Sequence, residues 1–167
     1  MTRAPVILSE YDVAWPLRFA EEKKFLSGVI GDYLCGTIEH VGSTAVPGLT
    51  AKPVIDIMFG VKSLKASKPA IAALESAGYE YSPYKTDVMH WFCKPSDAHR
   101  THHLHLIPFE SALWHERIKF RDRLRADEVI ANEYAALKRD LAIRHVGDRE
   151  AYTQEKWPFI RQVLAGC

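Results

Sequence analysis

One acidic side chain interrupts the most apolar strand-like run of the sequence. Asp56 lies within residues 54–59, whose other members are Val, Ile, Met and Phe. A carboxylate in such a run is costly to bury unless it is paired, hydrogen-bonded or bound to a metal ion. Pairing with Lys52, or capping a neighbouring helix, would satisfy it without chemistry. We expect instead that Asp56 is a metal ligand or a catalytic group.

Two histidines separated by one residue are the next candidates. Residues 103–107 are predicted to form a strand, so His103 and His105 share a face, because alternate residues of a strand point the same way. If that face lies beside Asp56, one carboxylate and two imidazoles suit Zn²⁺ or Mn²⁺ better than Mg²⁺. The pattern predicts a divalent metal site, or a histidine acting as general base. The alternative is that both imidazoles simply pack and hydrogen-bond on the sheet.

A glycine- and proline-containing segment precedes the strand of Asp56. Residues 42–53, GSTAVPGLTAKP, join two strand-like runs, and a loop of this length is usually functional or mobile. Gly42 permits a sharp turn, and exposed amides at such a turn can hold a phosphate. Ser43 and Thr44 add hydroxyl groups, and Lys52 adds a charge at the end of the segment. We expect these four residues to contact phosphate, although Lys52 is also typical of an ordinary solvated charge.

The elements that must position these groups alternate before the chain becomes helical. Strands are predicted at residues 37–41, 54–61, 79–81, 88–94 and 103–107, and helices at 16–30, 67–77, 111–125, 128–146 and 148–165. This order predicts an α/β (α+β) fold with a mixed sheet flanked by helices. Residues 1–110 would carry the sheet and residues 111–167 a three-helix region. A length of 167 residues fits a single domain over residues 1–167.

The composition excludes several classes of protein. The hydrophobic fraction is 47%, the charged fraction 26% and the net charge +1, as in globular domains without a nucleic-acid footprint. No stretch approaches the roughly 18 apolar residues of a membrane span. The first fifteen residues lack the apolar core of a signal peptide, and Cys35, Cys93 and Cys167 match neither a disulfide framework nor a zinc knuckle. We therefore expect a cytoplasmic protein without nucleic-acid or membrane partners, of unspecified oligomeric state.

The long run GSTAVPGLTAKPVIDI, residues 42–57, resembles the GrpB family of the nucleotidyltransferase superfamily. The resemblance continues through residues 103–105, 120–125, 133–134, 137–138 and 148–150, and ends at Tyr152, so it covers nearly the whole chain. It implies a polymerase-β-like fold, a short mixed sheet flanked by helices. A related domain is fused to dephospho-CoA kinase in some proteins, which connects the family to nucleotide metabolism.

The superfamily also implies specific site residues. Active members have a Gly–Ser turn that holds a triphosphate, an acid–x–acid pair on the next strand and a third acid on a later strand, with two divalent ions. Gly42 and Ser43 match the turn and Asp56 the first acid. Met58 occupies the position of the second acid, and a thioether is a poor ligand for Mg²⁺.

The family match further suggests two cations for phosphate binding, Arg121 and Lys138. Mixed-sign helix faces are normally solvated, which is the alternative for both. Together these residues predict a protein that binds a nucleotide or phosphorylated small molecule and performs metal-assisted nucleotidyl transfer to a small acceptor. Two alternatives stay open: a non-catalytic nucleotide- or ligand-binding module, which Met58 favours, and a metal-dependent hydrolase.

Overall fold

A mixed five-stranded sheet is the centre of the computed structural model, which describes residues 5–166. Cys167 lies outside these residues. The strands are β1 (Leu34–Val41), β2 (Ile55–Val61), β3 (Glu80–Tyr81), β4 (His90–Pro95) and β5 (Arg100–Pro108). Their order across the sheet is β1-β2-β5-β4-β3; β2 and β5 are parallel and the other neighbours antiparallel. The predicted mixed sheet is confirmed.

The helices cover both faces of the sheet. They are α1 (Trp15–Ile30), α2 (Leu64–Ser67), α3 (Ala70–Ser76), α4 (Ala112–Ala126), α5 (Glu128–Arg144), α6 (Arg149–Gln154) and α7 (Trp157–Ala165). Apolar residues of α1 and α3 pack on one face of β2 and β5, and Trp114 of α4 packs on the opposite face. No helix within residues 5–166 is long and apolar enough to cross a bilayer.

Two predicted helices differ in the structure. The helix expected at 67–77 begins only at Ala70, after Pro69, and the unpredicted short helix α2 precedes it. The helix expected at 148–165 is divided before Pro158, which lies in the first turn of α7. Proline lacks the N–H for the preceding turn, and its ring collides with that turn. The C-terminal region is helical as expected, and Asp148 caps α6 by accepting backbone hydrogen bonds from Glu150 and Ala151.

The register of the central strands positions the candidate site. Asp56 of β2 is directly opposite His103 of β5, and Met58 is opposite His105. Paired residues on neighbouring strands point to the same face. Ile55 and Ile57 point to the other face, into the cluster formed with α1 and α3. The pairing of β2 with β5 therefore brings one carboxylate and two imidazoles together on the face of α4.

The opposite face has a separate polar cluster around Glu22 of α1. Its carboxylate accepts a 2.6 Å hydrogen bond from the Tyr79 hydroxyl and a 2.8 Å bond from the Lys94 ammonium. Burial and the neighbouring Glu22 raise the pKa of the Tyr79 phenol, so the hydroxyl stays protonated as a donor. These bonds tie α1 to the sheet and account for the buried charge of Glu22.

Candidate metal centre and anion site

Asp56, His103 and His105 converge at the centre of the sheet. The Asp56 Oδ1 atom lies 2.9 Å from His103 Nδ1 and 3.5 Å from His105 Nε2. The Asp56 side chain is 26% exposed and the His105 side chain 5%, so the carboxylate faces an opening while the imidazoles form its floor. A ligand atom from each residue lies within 4.8 Å of the others. The structure thus brings together the three residues that the sequence predicted as one site.

These three side chains fit a single transition-metal ion. Ligands bonded at about 2.0–2.1 Å in a tetrahedron are about 3.3 Å apart, which the 2.9 and 3.5 Å separations bracket. The Nε2 of His103 and both ring nitrogens of His105 are buried without a hydrogen-bond partner, and such atoms usually have one. The two-Mg²⁺ arrangement does not fit, because Met58 is fully buried among apolar residues and supplies no oxygen.

The protonation states also suit a metal. Burial raises the pKa of Asp56, but the hydrogen bond from His103 and the nearby His105 ring outweigh this and hold the pKa well below its usual value. Burial and the charge of Arg117 lower the pKa of His105 to about 4. Near neutral pH, Asp56 is therefore a carboxylate and His105 a neutral imidazole, the forms that bind metal ions.

The Gly42 turn packs directly on Asp56. Gly42 has a φ of +73°, and a Cβ there would lie 2.5 Å from the Asp56 Oδ2 atom. Ser43 begins a single 3₁₀ turn, Ser43–Ala45, and lies near the side chain of Tyr134. Burial raises the pKa of the Tyr134 phenol, and the neighbouring Ser43 only partly offsets this. The predicted phosphate turn and the predicted metal ligand are thus in contact, and only glycine fits between them.

Several cations surround the single carboxylate. Burial lowers the pKa of three nearby cations, Lys52, Lys156 and Arg117, and the charge of Asp56 partly offsets this. Among residues 5–166, no carboxylate is within ion-pair distance of these three side chains. Burial and repulsion from Lys52 lower the pKa of Lys156 to about 7. The cluster therefore has more positive than negative charge, which favours an anionic ligand.

Two tyrosines support the lysines of this cluster. The ammonium groups of Lys52 and Lys156 lie 5.2 and 4.6 Å from the centre of the Tyr152 ring. Lys138 lies 4.8 Å from the Tyr134 ring and donates a hydrogen bond to the Thr50 carbonyl. Burial and the charges of Lys156, Arg139 and Lys52 lower the pKa of Lys138 to about 7. Lys138 thus belongs to the same cluster of cations, because the charges of Lys156 and Lys52 act on it.

A small cleft of about 140 Å³ leads to His103. Lys52, Arg100 and Arg149 are among its lining residues, together with backbone and side chains of residues 53–54 and 98–99. The Arg100 guanidinium lies 5.0 Å from the Trp91 ring, whose other neighbour is the His103 ring at 5.1 Å. The cleft beside His103 is therefore lined by cations.

Two of the predicted phosphate ligands have other partners in the structure. The Thr44 hydroxyl is buried, donates to the Val54 carbonyl and lies 2.9 Å from His40 Nε2. Because this hydroxyl is used inside the loop, it does not face the cleft. The phosphate set is corrected by leaving Thr44 out.

Arg121 is likewise held by the protein itself. Its guanidinium donates to Glu39 at 2.8 Å, to Asp122 at 2.9 Å and to the His40 carbonyl at 3.1 Å. Arg121 therefore neutralises carboxylates at the edge of the sheet. Arg117, one helical turn earlier on α4, is the cation of this helix that lies near Asp56.

Sequence reasoning missed Arg117 and Lys156. Arg117 precedes Arg121 by four residues on the same helix, so both lie on one face of α4. The charge pattern indicated this face of the helix, but not which of its turns lies beside Asp56. Lys156 lies between α6 and α7, so its position depends on the break between these helices near Pro158. No local sequence pattern indicates that this break places Lys156 near Asp56.

Comparisons with known proteins agree on one family. The profile of the GrpB protein family matches residues 5–165. The Glutamate-rich protein GrpB of Alkalihalophilus pseudofirmus is 37% identical over 169 residues, spanning 98% of this chain and 97% of that protein. The crystal structure of the conserved protein GrpB from Enterococcus faecalis has a TM-score of 0.84 at 31% identity, covering 95% of this chain and 97% of that one.

A longer enzyme contains a similar region. A dephospho-CoA kinase of Mycolicibacterium paratuberculosis is 34% identical over 194 residues, which span 96% of this chain. The match spans 46% of that kinase, so this chain corresponds to about half of its length.

The contact between Gly42 and Asp56 predicts an unusually costly glycine substitution. Gly48→Ala is a matched control, since Gly48 has a φ of +80° but open space around a Cβ. Its left-handed backbone should cost about 1–2 kcal/mol. Gly42→Ala should cost about 1–3 kcal/mol more, because its Cβ also collides with Asp56. Urea unfolding of the two variants measures the difference; equal free energies of unfolding would contradict the contact.

The buried His40 ring predicts a loss of stability in acid. Burial lowers its pKa from 6.5 to about 4, with Arg125 and Arg121 acting in the same direction and Asp56 against it. The unfolded chain binds this proton first, so stability falls as the pH decreases from about 6.5 to about 4. His40→Gln should remove about 3 kcal/mol of that pH-dependent loss. Urea unfolding between pH 4 and 7 tests this; identical pH profiles of the two proteins would refute it.

Proposed function

The chain belongs to the GrpB family, and from that premise we propose that it binds a nucleotide or another phosphorylated small molecule and performs metal-assisted nucleotidyl transfer to a small acceptor. The observation that carries the proposal is the convergence of Asp56, His103 and His105 beneath the Gly42–Ser43 turn, inside a ring of cations without carboxylate partners. Phosphate groups supply the negative charge that this ring lacks.

The anion half of the site uses lysine and arginine. Lys52 and Lys156 flank the Tyr152 ring, and Arg117 approaches Asp56 from α4. A bound phosphate chain stabilises the charged forms of the lysines, because it replaces like-charge repulsion with attraction. Ser43 contributes a hydroxyl group at the turn, beside Tyr134. These residues would hold and orient the phosphate chain.

The metal half of the site uses Asp56, His103 and His105. Their one oxygen and two nitrogens favour Zn²⁺ or Mn²⁺ over Mg²⁺. When bound, such an ion polarises a phosphoryl oxygen as a Lewis acid. Gly42 keeps the Asp56 carboxylate in place, and the apolar packing of Met58 excludes water from beneath it. The family relative named as a dephospho-CoA kinase is consistent with chemistry on phosphorylated small molecules.

Met58 favours a second candidate function, a non-catalytic nucleotide- or ligand-binding module. In active nucleotidyltransferases the corresponding position carries a second carboxylate, and here it carries a fully buried thioether. A site with one carboxylate has less negative charge with which to hold and align two divalent ions, although it can still bind phosphate and a metal ion. Hydrolysis of the ligand by water at the same metal is the third reaction class that the residues allow.

A thermal-shift panel separates these functions. We expect nucleoside triphosphate together with Zn²⁺ or Mn²⁺ to stabilise the protein more than the sum of each alone. The total stabilisation should be about 2.7 kcal/mol when the ligand is at a hundredfold excess over its Kd. Asp56→Asn should abolish the metal-dependent part, and Lys156→Gln should weaken the nucleotide-dependent part. His115→Ala, an exposed histidine of α4, is the matched control and should behave as wild type.

Product analysis completes the same experiment. Pyrophosphate released in proportion to a modified acceptor supports nucleotidyl transfer, and phosphate or pyrophosphate released without an acceptor supports hydrolysis. Stabilisation by nucleotide that is indifferent to metal and unchanged in Asp56→Asn supports the binding module and overturns the metal-assisted reaction. Absence of stabilisation by every nucleotide would overturn the nucleotide proposal itself.

A further inference from the structure

A second and larger cavity lies at the edge of the sheet. Its volume is about 350 Å³, within the range of about 300–1,000 Å³ typical of small-molecule sites. It is bounded by α1, by the edge strand β1 and by α4, and its lining residues do not include Asp56, His103 or His105. The cavity is therefore separate from the candidate metal centre, although both adjoin the Gly42–Ala45 turn.

The cavity has two cations without an acidic partner. Arg121 is neutralised by Glu39 and Asp122, but no carboxylate among residues 5–166 is within ion-pair distance of Lys23 or Arg125. Arg125 donates its Nε–H to the Ala45 carbonyl at 2.9 Å. The terminal NH₂ groups of Arg125 remain for a ligand, because no further hydrogen bond of this guanidinium occurs within the described chain.

Apart from Thr37 and Glu39, whose carboxylate is paired with Arg121, the remaining walls of the cavity are largely apolar and aromatic. The Phe19 ring stacks on the His40 ring with 4.9 Å between centres and 12° between planes. His40 adds an uncharged ring near neutral pH, since burial lowers its pKa to about 4. Tyr11, Pro16 and Ile38 complete this side. Cations and rings line the same cavity, and the Lys23 ammonium lies 6.0 Å from the centre of the Phe19 ring, which matches a ligand with an anionic head and an apolar body.

We propose that this cavity binds a second small molecule, an organic anion with a ring or short apolar body. Lys23 and Arg125 bind its carboxylate or phosphate head, and Phe19 contacts its body. The proposal does not rest on the nucleotidyl-transfer function, because none of these residues belongs to the metal centre.

The position of the cavity connects this ligand to the phosphate turn. His40 holds Thr44 through a 2.9 Å contact between Nε2 and Oγ1, and Arg125 holds the Ala45 carbonyl. Both supports of the turn therefore line the cavity. A ligand on Arg125 and beside His40 contacts the groups that keep Gly42 against Asp56.

Amide-shift mapping by NMR tests the proposal on the full chain without added metal. The probes are benzoate and phenyl phosphate, with inorganic phosphate as head-group control and benzyl alcohol as ring control. We expect both ring-bearing anions to shift the amides of Phe19, Thr37 and Arg125 saturably, and neither control to do so at the same concentration. Lys23→Gln should raise the Kd of benzoate about tenfold, as expected for loss of one charge-assisted bond.

Two further variants separate this site from the metal centre. Arg125→Gln should also weaken benzoate binding, whereas Lys156→Gln should leave it unchanged. Lys23 is exposed and its ammonium forms no hydrogen bond within the described residues, so Lys23→Gln tests binding without disturbing the turn. Shifts confined to residues beside Asp56, unchanged affinity in Lys23→Gln, or equal binding of benzyl alcohol would each overturn the proposal.

Discussion

The structure depends on the accommodation of one carboxylate in an apolar strand. Asp56 is stabilised by two imidazoles from the parallel strand β5 and by nearby cations, and its Oδ2 face is closed by a glycine with no side chain. Any shift of β2 against β5 by one residue would move the carboxylate to the face of α1, where Ile55 and Ile57 now pack. The register of β2 against β5 is therefore required both for the packing of the sheet and for the candidate site.

The side chains around Asp56 carry more positive than negative charge. Lys52, Lys156 and Arg117 approach from three different elements, and two tyrosine rings line the lysines in place of acids. Burial, and after it repulsion from neighbouring cations, lowers the pKa of both Lys156 and Lys138. Perturbed pKa values of this kind are frequent at functional sites.

Local chemistry made part of this site predictable. Asp56 was detectable because a charge in an apolar run violates the burial pattern, and His103 and His105 because a period of two assigns them to one face. That these faces coincide required β2 and β5 to be parallel neighbours, which the strand order alone leaves open. Thr44 was misassigned because a hydroxyl in a predicted phosphate loop can equally serve the loop itself, as its bonds to His40 and Val54 do.

The remaining residues depend on tertiary packing. Lys156 reaches the site because Pro158 ends one helix and redirects the next, and Arg117 because α4 lies on the sheet at one particular rotation. Neither position has a local signature. Anomalous diffraction from crystals grown with Zn²⁺, then with Mn²⁺, tests the central claim most directly. The account predicts a single peak bonded to Asp56, His103 and His105; a metal-saturated crystal with no peak between these three side chains would contradict it.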